Sequence, residues 1–189
     1  MEQGALLNRA VDEVSRLVDG ISQDQLGAQT PCTDWKVRDL INHLVGGAKM
    51  FAISAETGSV PDDVLGSLMT EDQVGDDFKQ SWKEASSRAT AAFNAPGIEE
   101  KSVTLPFGEM PAPVAATIAV FDVTTHACDL ATATGQQIQD TELLGLALEA
   151  GKQMVGPDLR VPGFFDAEQP CADDASPADR LLAFAGRAV

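Results

Sequence analysis

The chain has 189 residues, 44% hydrophobic and 22% charged, a balance expected of one water-soluble domain with its own core. Twenty-nine acids against thirteen Lys and Arg give a formal charge of −16, which argues against a nucleic-acid or phosphate-binding surface. The N-terminus Met-Glu-Gln-Gly-Ala-Leu-Leu-Asn lacks the basic and apolar regions of a signal peptide, and no run approaches the roughly 20 apolar residues of a membrane span. Cys32, Cys128 and Cys171 are odd in number and widely spaced, which suits a reducing cytoplasm better than a disulfide framework.

Leu6, Leu7, Ala10, Val11, Val14, Leu17 and Val18 recur at helical spacing and predict a first helix over residues 3–19, stopped by Gly20. After a polar connection, Thr33 offers an N-cap and Asp34 a favourable charge for a second helix from about Asp34 to Thr57. Its apolar face holds Val37, Leu40, Ile41, Leu44, Val45, Ala48, Phe51 and Ala52, and His43 lies roughly 60° beyond that face. Gly46 and Gly47 leave room for a neighbouring element or a ligand. Residues 58–70 read as a loop with one helical turn after Pro61. A third helix is expected over residues 71–94, through Val74, Phe78, Trp82, Ala85, Ala89 and Phe93. Lys101 to Met110 reads as a hairpin-like excursion.

Pro111 and Pro113 open a fourth helix that runs to about Ala133, with Gly135 as its stop. Ala115, Ile118, Ala119, Asp122, His126, Asp129 and Ala133 share one arc of roughly 100° on that helix. Charged groups placed among core-facing residues are costly unless paired or bound to metal. A fifth helix over 141–155 and a last one over 178–188 flank an irregular stretch with prolines at 157, 162, 170 and 177. Five or six helices with little strand predict an all-α bundle, read as a single domain over 1–189.

Asp122 and His126 stand four residues apart, one above the other on a helix, so both can grip one ion. The chain's other histidine is His43. Two imidazoles and a carboxylate from facing helices suit zinc, ferrous iron or nickel, with positions left open for water or substrate. The same residues also fit an ordinary polar rim or an Asp–His ion pair, and spacing alone leaves both readings standing. Asp129 is a further carboxylate ligand, a group that orients a ligand histidine from behind, or a packing residue. Cys128 falls on the far side of the helix from His126. Cys32 is expected to be a buried, inert thiol, and Trp35 and Trp82 to pack in or at the edge of the core.

Specific strings then matter. Thr30-Pro31-Cys32-Thr33-Asp34-Trp35-Lys36-Val37-Arg38-Asp39-Leu40-Ile41-Asn42-His43-Leu44 resembles the second-helix signature of actinobacterial DinB-like proteins, relatives of the metal-binding domain of mycothiol-dependent maleylpyruvate isomerase. Phe121-Asp122-Val123-Thr124-Thr125-His126-Ala127-Cys128-Asp129-Leu130-Ala131 resembles their later-helix motif, with Cys128 where the family usually has Trp. Ala175-Ser176-Pro177-Ala178-Asp179-Arg180-Leu181-Leu182-Ala183-Phe184 is similar to a subgroup of that family.

The resemblance implies an up-down-down-up four-helix bundle, with extra C-terminal helices here. It also implies a divalent metal held by His43, Asp122 and His126, zinc by preference, with nickel or iron as alternatives. The family's ligand at the second place is often Glu or His, so Asp122 is a shorter arm. Thiol activation follows from the same resemblance: the chain would be a mycothiol-type S-transferase or isomerase acting on a small electrophile. Isomerase activity itself does not carry over, because the extra C-terminal domain of the isomerase has no counterpart in the sequence. The expected partners are a small-molecule thiol and an electrophile, with no nucleic acid or membrane, and a homodimer is a fair expectation. The alternative is a non-catalytic bundle with a structural or vestigial metal site.

Overall fold

In the computed structural model, residues 3–33, 35–160 and 165–189 are described. Four long helices pack against one another: α1 (Gln3–Gly20), α2 (Val37–Thr57), α4 (Phe78–Phe93) and α5 (Ala112–Thr134), with the short α3 (Asp62–Thr70) against α2. Each of α1 and α2 touches both α4 and α5, which closes the four around one core. Leu7, Leu17, Leu40, Ile41, Leu44, Trp82 and Leu130 are fully buried there. Between α4 and α5, β1 (Ser102–Leu105) and β2 (Gly108–Pro111) form an antiparallel hairpin with Val103 opposite Met110. Then come α6 (Thr141–Met154) and α7 (Pro177–Phe184). A second apolar cluster joins Phe121 and Cys128 of α5 to Leu144 and Ala147 of α6 and to Leu181, Leu182 and Phe184 of α7. The all-α fold and the hairpin excursion are as expected.

Several boundaries differ from the sequence reading. Helix α2 begins at Val37 rather than near Asp34, and Asp34 itself lies outside the described residues. The cause is a short extended pairing: Val37 donates to the Ala28 carbonyl at 3.0 Å and Thr30 to the Trp35 carbonyl at 3.3 Å. These bonds hold Trp35 and Lys36 in extended backbone, and Lys36, not Thr33, becomes the N-cap. The stretch read as a loop contains the nine-residue α3, whose first-turn Asp62 and Asp63 favour a helix N-terminus.

Helix α4 starts at Phe78, not at Glu71. The intervening turn is fastened to α2, because Asn42 Oδ1 accepts from the Gln73 N–H at 2.6 Å and Asp72 caps Val74. Asp77 then caps α4 by accepting from the Gln80 N–H at 3.0 Å. Within the irregular stretch before α7, residues 161–164, including Pro162 and Gly163, lie outside the described residues.

Gly46 permits the close approach foreseen for it. A Cβ there would sit 2.6 Å from the Leu68 carbonyl oxygen of α3, whereas one on Gly47 would meet nothing within 4 Å. Helix α5 runs through the middle of the molecule and is buried on nearly every side. By length and mean hydropathy (1.3) it is apolar enough to cross a membrane, contrary to the sequence expectation. Since 78% of that window is buried inside the protein, its apolarity is that of a core helix. The wheel arc was therefore less selective than it looked, because α5 has almost no solvent face to contrast with.

Candidate metal centre

Helix α5 brings Asp122 and His126 to the edge of the bundle facing α2, where His43 projects from the flank of its own apolar stripe. Asp122 Oδ1 lies 3.3 Å from His43 Nε2 and 3.5 Å from His126 Nε2. One ligand atom from each of the three residues lies within 4.8 Å of the others, and this is the cluster of potential metal ligands found among the described residues. His126 is buried, while His43 and Asp122 are half-buried and leave an open side. Asp122 is thus more exposed than its place on the inward arc suggested.

Behind the cluster, Asp129 is fully buried (0% exposed) and lies 2.9 Å from His126 Nδ1. A carboxylate only accepts, so Nδ1 carries hydrogen and Nε2 is the atom turned towards Asp122 and His43. Two carboxylates therefore bracket one imidazole. A neutral ring donates from one nitrogen only, so the contact with Asp122 calls for either a second proton or a cation.

The electrostatics follow from that bracket. Burial resists charge on His126, but hydrogen bonds and charge from Asp122 and then Asp129 push its pKa up to about 9. Burial likewise opposes ionisation of Asp122, yet the charges and hydrogen bonds of His43 and His126 hold its carboxyl far below the usual carboxylate range. For Asp129, burial is again outweighed, by His126 and then Arg187, and the carboxyl stays below its ordinary value. Burial, reinforced by the Asp129 charge, pushes the Cys128 thiol well up, so it is no thiolate ligand.

Two parts of the surroundings escaped the sequence reading. Trp35 packs at the edge of the core as expected, but it also stands over the histidines, its ring centroid 4.7 Å from that of His43 and 5.7 Å from that of His126. It does so because the extended segment before α2 places it there. Nothing in the helical periodicity could signal that. Arg187, beyond the end of α7, donates to Asp129 Oδ2 from Nη2 at 3.1 Å. A lone arginine near the end of the chain carries no pattern that would link it to a helix 58 residues upstream. Trp82 packs in the core as expected, its Nε1 donating to Ser15 Oγ at 2.9 Å, while Cys32 is half-buried rather than buried.

A cavity of about 870 Å³ runs between α1 and α4 past Ser15, Lys79 and Ser86 and includes none of the three cluster residues. At the cluster, a narrow apolar crevice reaches Asp122 past Leu44, Gly47 and Ala119.

The mostly helical bundle with its short hairpin excursion is consistent with an all-α DinB-like fold. Residues 7–131 match the mycothiol maleylpyruvate isomerase N-terminal domain family, and the chain belongs to that family. Two uncharacterised Mycobacterium tuberculosis proteins, Rv0738 of strain H37Rv and MT0763 of strain CDC 1551, are each 39% identical over 183 residues, 96% of this chain and 95% of theirs. Among solved structures, a histidine-to-alanine mutant of the mycothiol-dependent maleylpyruvate isomerase superposes with a TM-score of 0.61 at 16% identity. The match covers 79% of this chain and 66% of that enzyme, so the chain spans just under two thirds of its length. At that identity the likeness concerns the fold.

Proposed function

We propose that His43, Asp122 and His126 hold a divalent cation, zinc by preference, and that the protein activates a small thiol of the mycothiol class for attack on an electrophile. The observation that carries the reading is the convergence of His43 Nε2 and His126 Nε2 on Asp122 Oδ1 at 3.3 and 3.5 Å. Ligands about 2.0–2.1 Å from a tetrahedral ion stand roughly 3.3–3.4 Å from one another, so these two separations fit such a group. Nitrogen and oxygen donors also suit nickel or ferrous iron. The family's name supports mycothiol as the thiol.

When bound, the cation would supply Lewis acidity, lowering the pKa of a coordinated thiol or water towards neutrality. The chain's own residues do the rest. The two imidazoles offer Nε2, and Asp122 contributes one compensating negative charge. Asp129 holds the Nδ1 hydrogen of His126 and so keeps Nε2 available. Trp35 shields the histidines from water on one side, while the half-buried side of His43 and Asp122 stays open for a thiol. In a transferase step the thiol sulfur would form a bond to the electrophilic carbon as the bond from that carbon to its leaving group breaks. The leaving group would depart with the electron pair, and the thiol proton would pass to solvent.

A second reading rests on a different aspect of the same contacts. Asp122 is already satisfied by both imidazoles, as it would be in a polar cluster without catalytic work. The two readings part on turnover. Zinc-loaded protein with a low-molecular-weight thiol and a panel of small electrophiles should consume electrophile in a thiol-dependent way, and His43→Ala should abolish it. Metal binding without thiol-dependent turnover across the panel would favour a binding protein.

A further inference from the structure

We propose that Arg187 is a positioning residue of the centre, acting on His126 through Asp129, so that the segment after α7 is part of the site. The inference rests on the metal-site reading for its purpose, but its geometry stands by itself. Arg187 lies outside the residues that match the family, which end at 131.

The side chain is delivered by a specific chain reversal. Helix α7 ends with the Gly186 N–H donating to the Ala183 carbonyl at 3.0 Å and the Arg187 N–H to the Leu182 carbonyl at 2.9 Å. These are the paired bonds of a Schellman turn, which requires a left-handed residue between them, and Gly186 has φ 93°. A Cβ at Gly186 would also sit 2.7 Å from Asp166 Cβ, so the turn accepts only glycine without a shift. Arg160 braces the same segment by donating to the Phe184 carbonyl at 3.0 Å, with its guanidinium over the Phe184 ring.

So placed, Arg187 is almost wholly buried, with 11% of its side chain exposed. Nη2 and Nε reach Asp129 Oδ2 and Oδ1 at 3.1 and 3.4 Å, and Nη1 donates to the Ala185 carbonyl at 2.7 Å. Two donors on two oxygens fix the plane of the carboxylate. The oxygen that takes Nη2 is the one that receives His126 Nδ1. The guanidinium thus sets where the carboxylate sits, and the carboxylate sets which imidazole nitrogen faces Asp122. Without Arg187, a buried carboxylate would lose its cationic partner and be free to turn.

The test compares wild type with Arg187→Met, Arg187→Lys and Glu13→Ala at fixed pH. Cobalt(II) titration reads affinity and ligand-field absorption, and 15N-detected imidazole spectra of the metal-free protein read the tautomer of His126. The chain has two histidines, so His43→Gln identifies the His126 signals. Arg187→Met is expected to weaken cobalt binding about 10-fold, in line with lost support behind a ligand histidine. It should also alter the absorption bands and move the His126 Nδ1 signal, with partial recovery in Arg187→Lys. Glu13→Ala, which breaks buried bonds to the Gln139 and Asp140 N–H groups away from the turn, should lower thermal stability while leaving bands and tautomer unchanged. If Arg187→Met keeps wild-type affinity, bands and imidazole signals, the proposal is overturned. If wild type takes up no cobalt, the metal reading fails, and the imidazole spectra still decide whether Arg187 positions His126.

Discussion

Replacing Asp129 by Asn removes one charge and almost no volume from a fully buried position, so the effect measures the charge itself. In the wild type the carboxylate receives His126 Nδ1 at 2.9 Å and Arg187 Nη2 at 3.1 Å on one oxygen, with Arg187 Nε at 3.4 Å from the other. An amide keeps one acceptor oxygen, and its NH2 must then face a guanidinium or an imidazole N–H, donor against donor. Arg187 is left charged in a nearly closed environment without its anionic partner, its Nη1 still donating to the Ala185 carbonyl at 2.7 Å. Breaking a buried pair in this way costs about 3–5 kcal/mol. For a domain of this length each kcal/mol moves the melting temperature by about 2–4 °C, so a fall of roughly 6–20 °C is expected. Calorimetry and urea titration of chelator-treated protein would read it, with the exposed Asp173→Asn as a control expected within about 0.5 kcal/mol of wild type. An Asp129→Asn protein within about 1 kcal/mol of wild type would refute the buried-pair argument.

Other consequences are open to the same methods. Glu13, a buried carboxylate on α1, pairs with Arg16 and accepts from the backbone N–H groups of Gln139 and Asp140 at 3.1 and 3.2 Å. Glu13→Ala should cost about 2 kcal/mol in urea unfolding, and no change in midpoint would show that water replaces these bonds freely. The adjacent glycines of α2 should respond with opposite signs. Gly46→Ala, facing the Leu68 carbonyl at 2.6 Å, should destabilise by about 1–3 kcal/mol, whereas Gly47→Ala, facing open space, should stabilise by about 0.4–1 kcal/mol. Equal effects would contradict the close α2–α3 contact. Asp140 is held below the usual carboxylate range first by its hydrogen bonds from Arg9, against the opposing effect of burial, and then by its cap on Leu143. Its contribution is therefore complete above the ordinary carboxylate pKa and lost as pH falls through its own lowered value. The stability gap between wild type and Asp140→Asn should be wide at pH 5 and narrow towards about pH 2, and a constant gap would count against the pairing.

What could be read from the sequence depended on whether the cause was local. Leu6 to Val18 and Val37 to Ala52 repeat at helical spacing, and both became core helices. Gly135, with φ 69°, closes α5 where it was expected to. The helix starts were harder because tertiary partners set them. The Ala28–Val37 bond delays α2, and the fastening of Asp72 and Gln73 to α2 delays α4.

The candidate site divides in the same way. Asp122, His126 and Asp129 were visible as polar groups at helical intervals, and Asp129 does stand behind His126. His43 emerged through the family resemblance, since a histidine on the flank of a stripe does not announce its partner. Trp35 and Arg187 were not legible as parts of the site. One arrives on extended chain and the other through a turn after α7, and neither shares a periodicity with the residues it touches. Buried Glu13 was overlooked because an acidic residue among Val11 and Val14 reads as solvent-facing until its backbone partners are known.

The central claim is that His43, Asp122 and His126 form one metal-binding unit. Zinc titration of chelator-treated protein by calorimetry tests it most directly, with His43→Ala and His126→Ala alongside. One zinc per chain for wild type, with binding lost or sharply weakened in both variants and a raised melting temperature for the loaded wild type alone, is the predicted result. Absence of stoichiometric binding, or equal binding by wild type and both variants, would contradict the account.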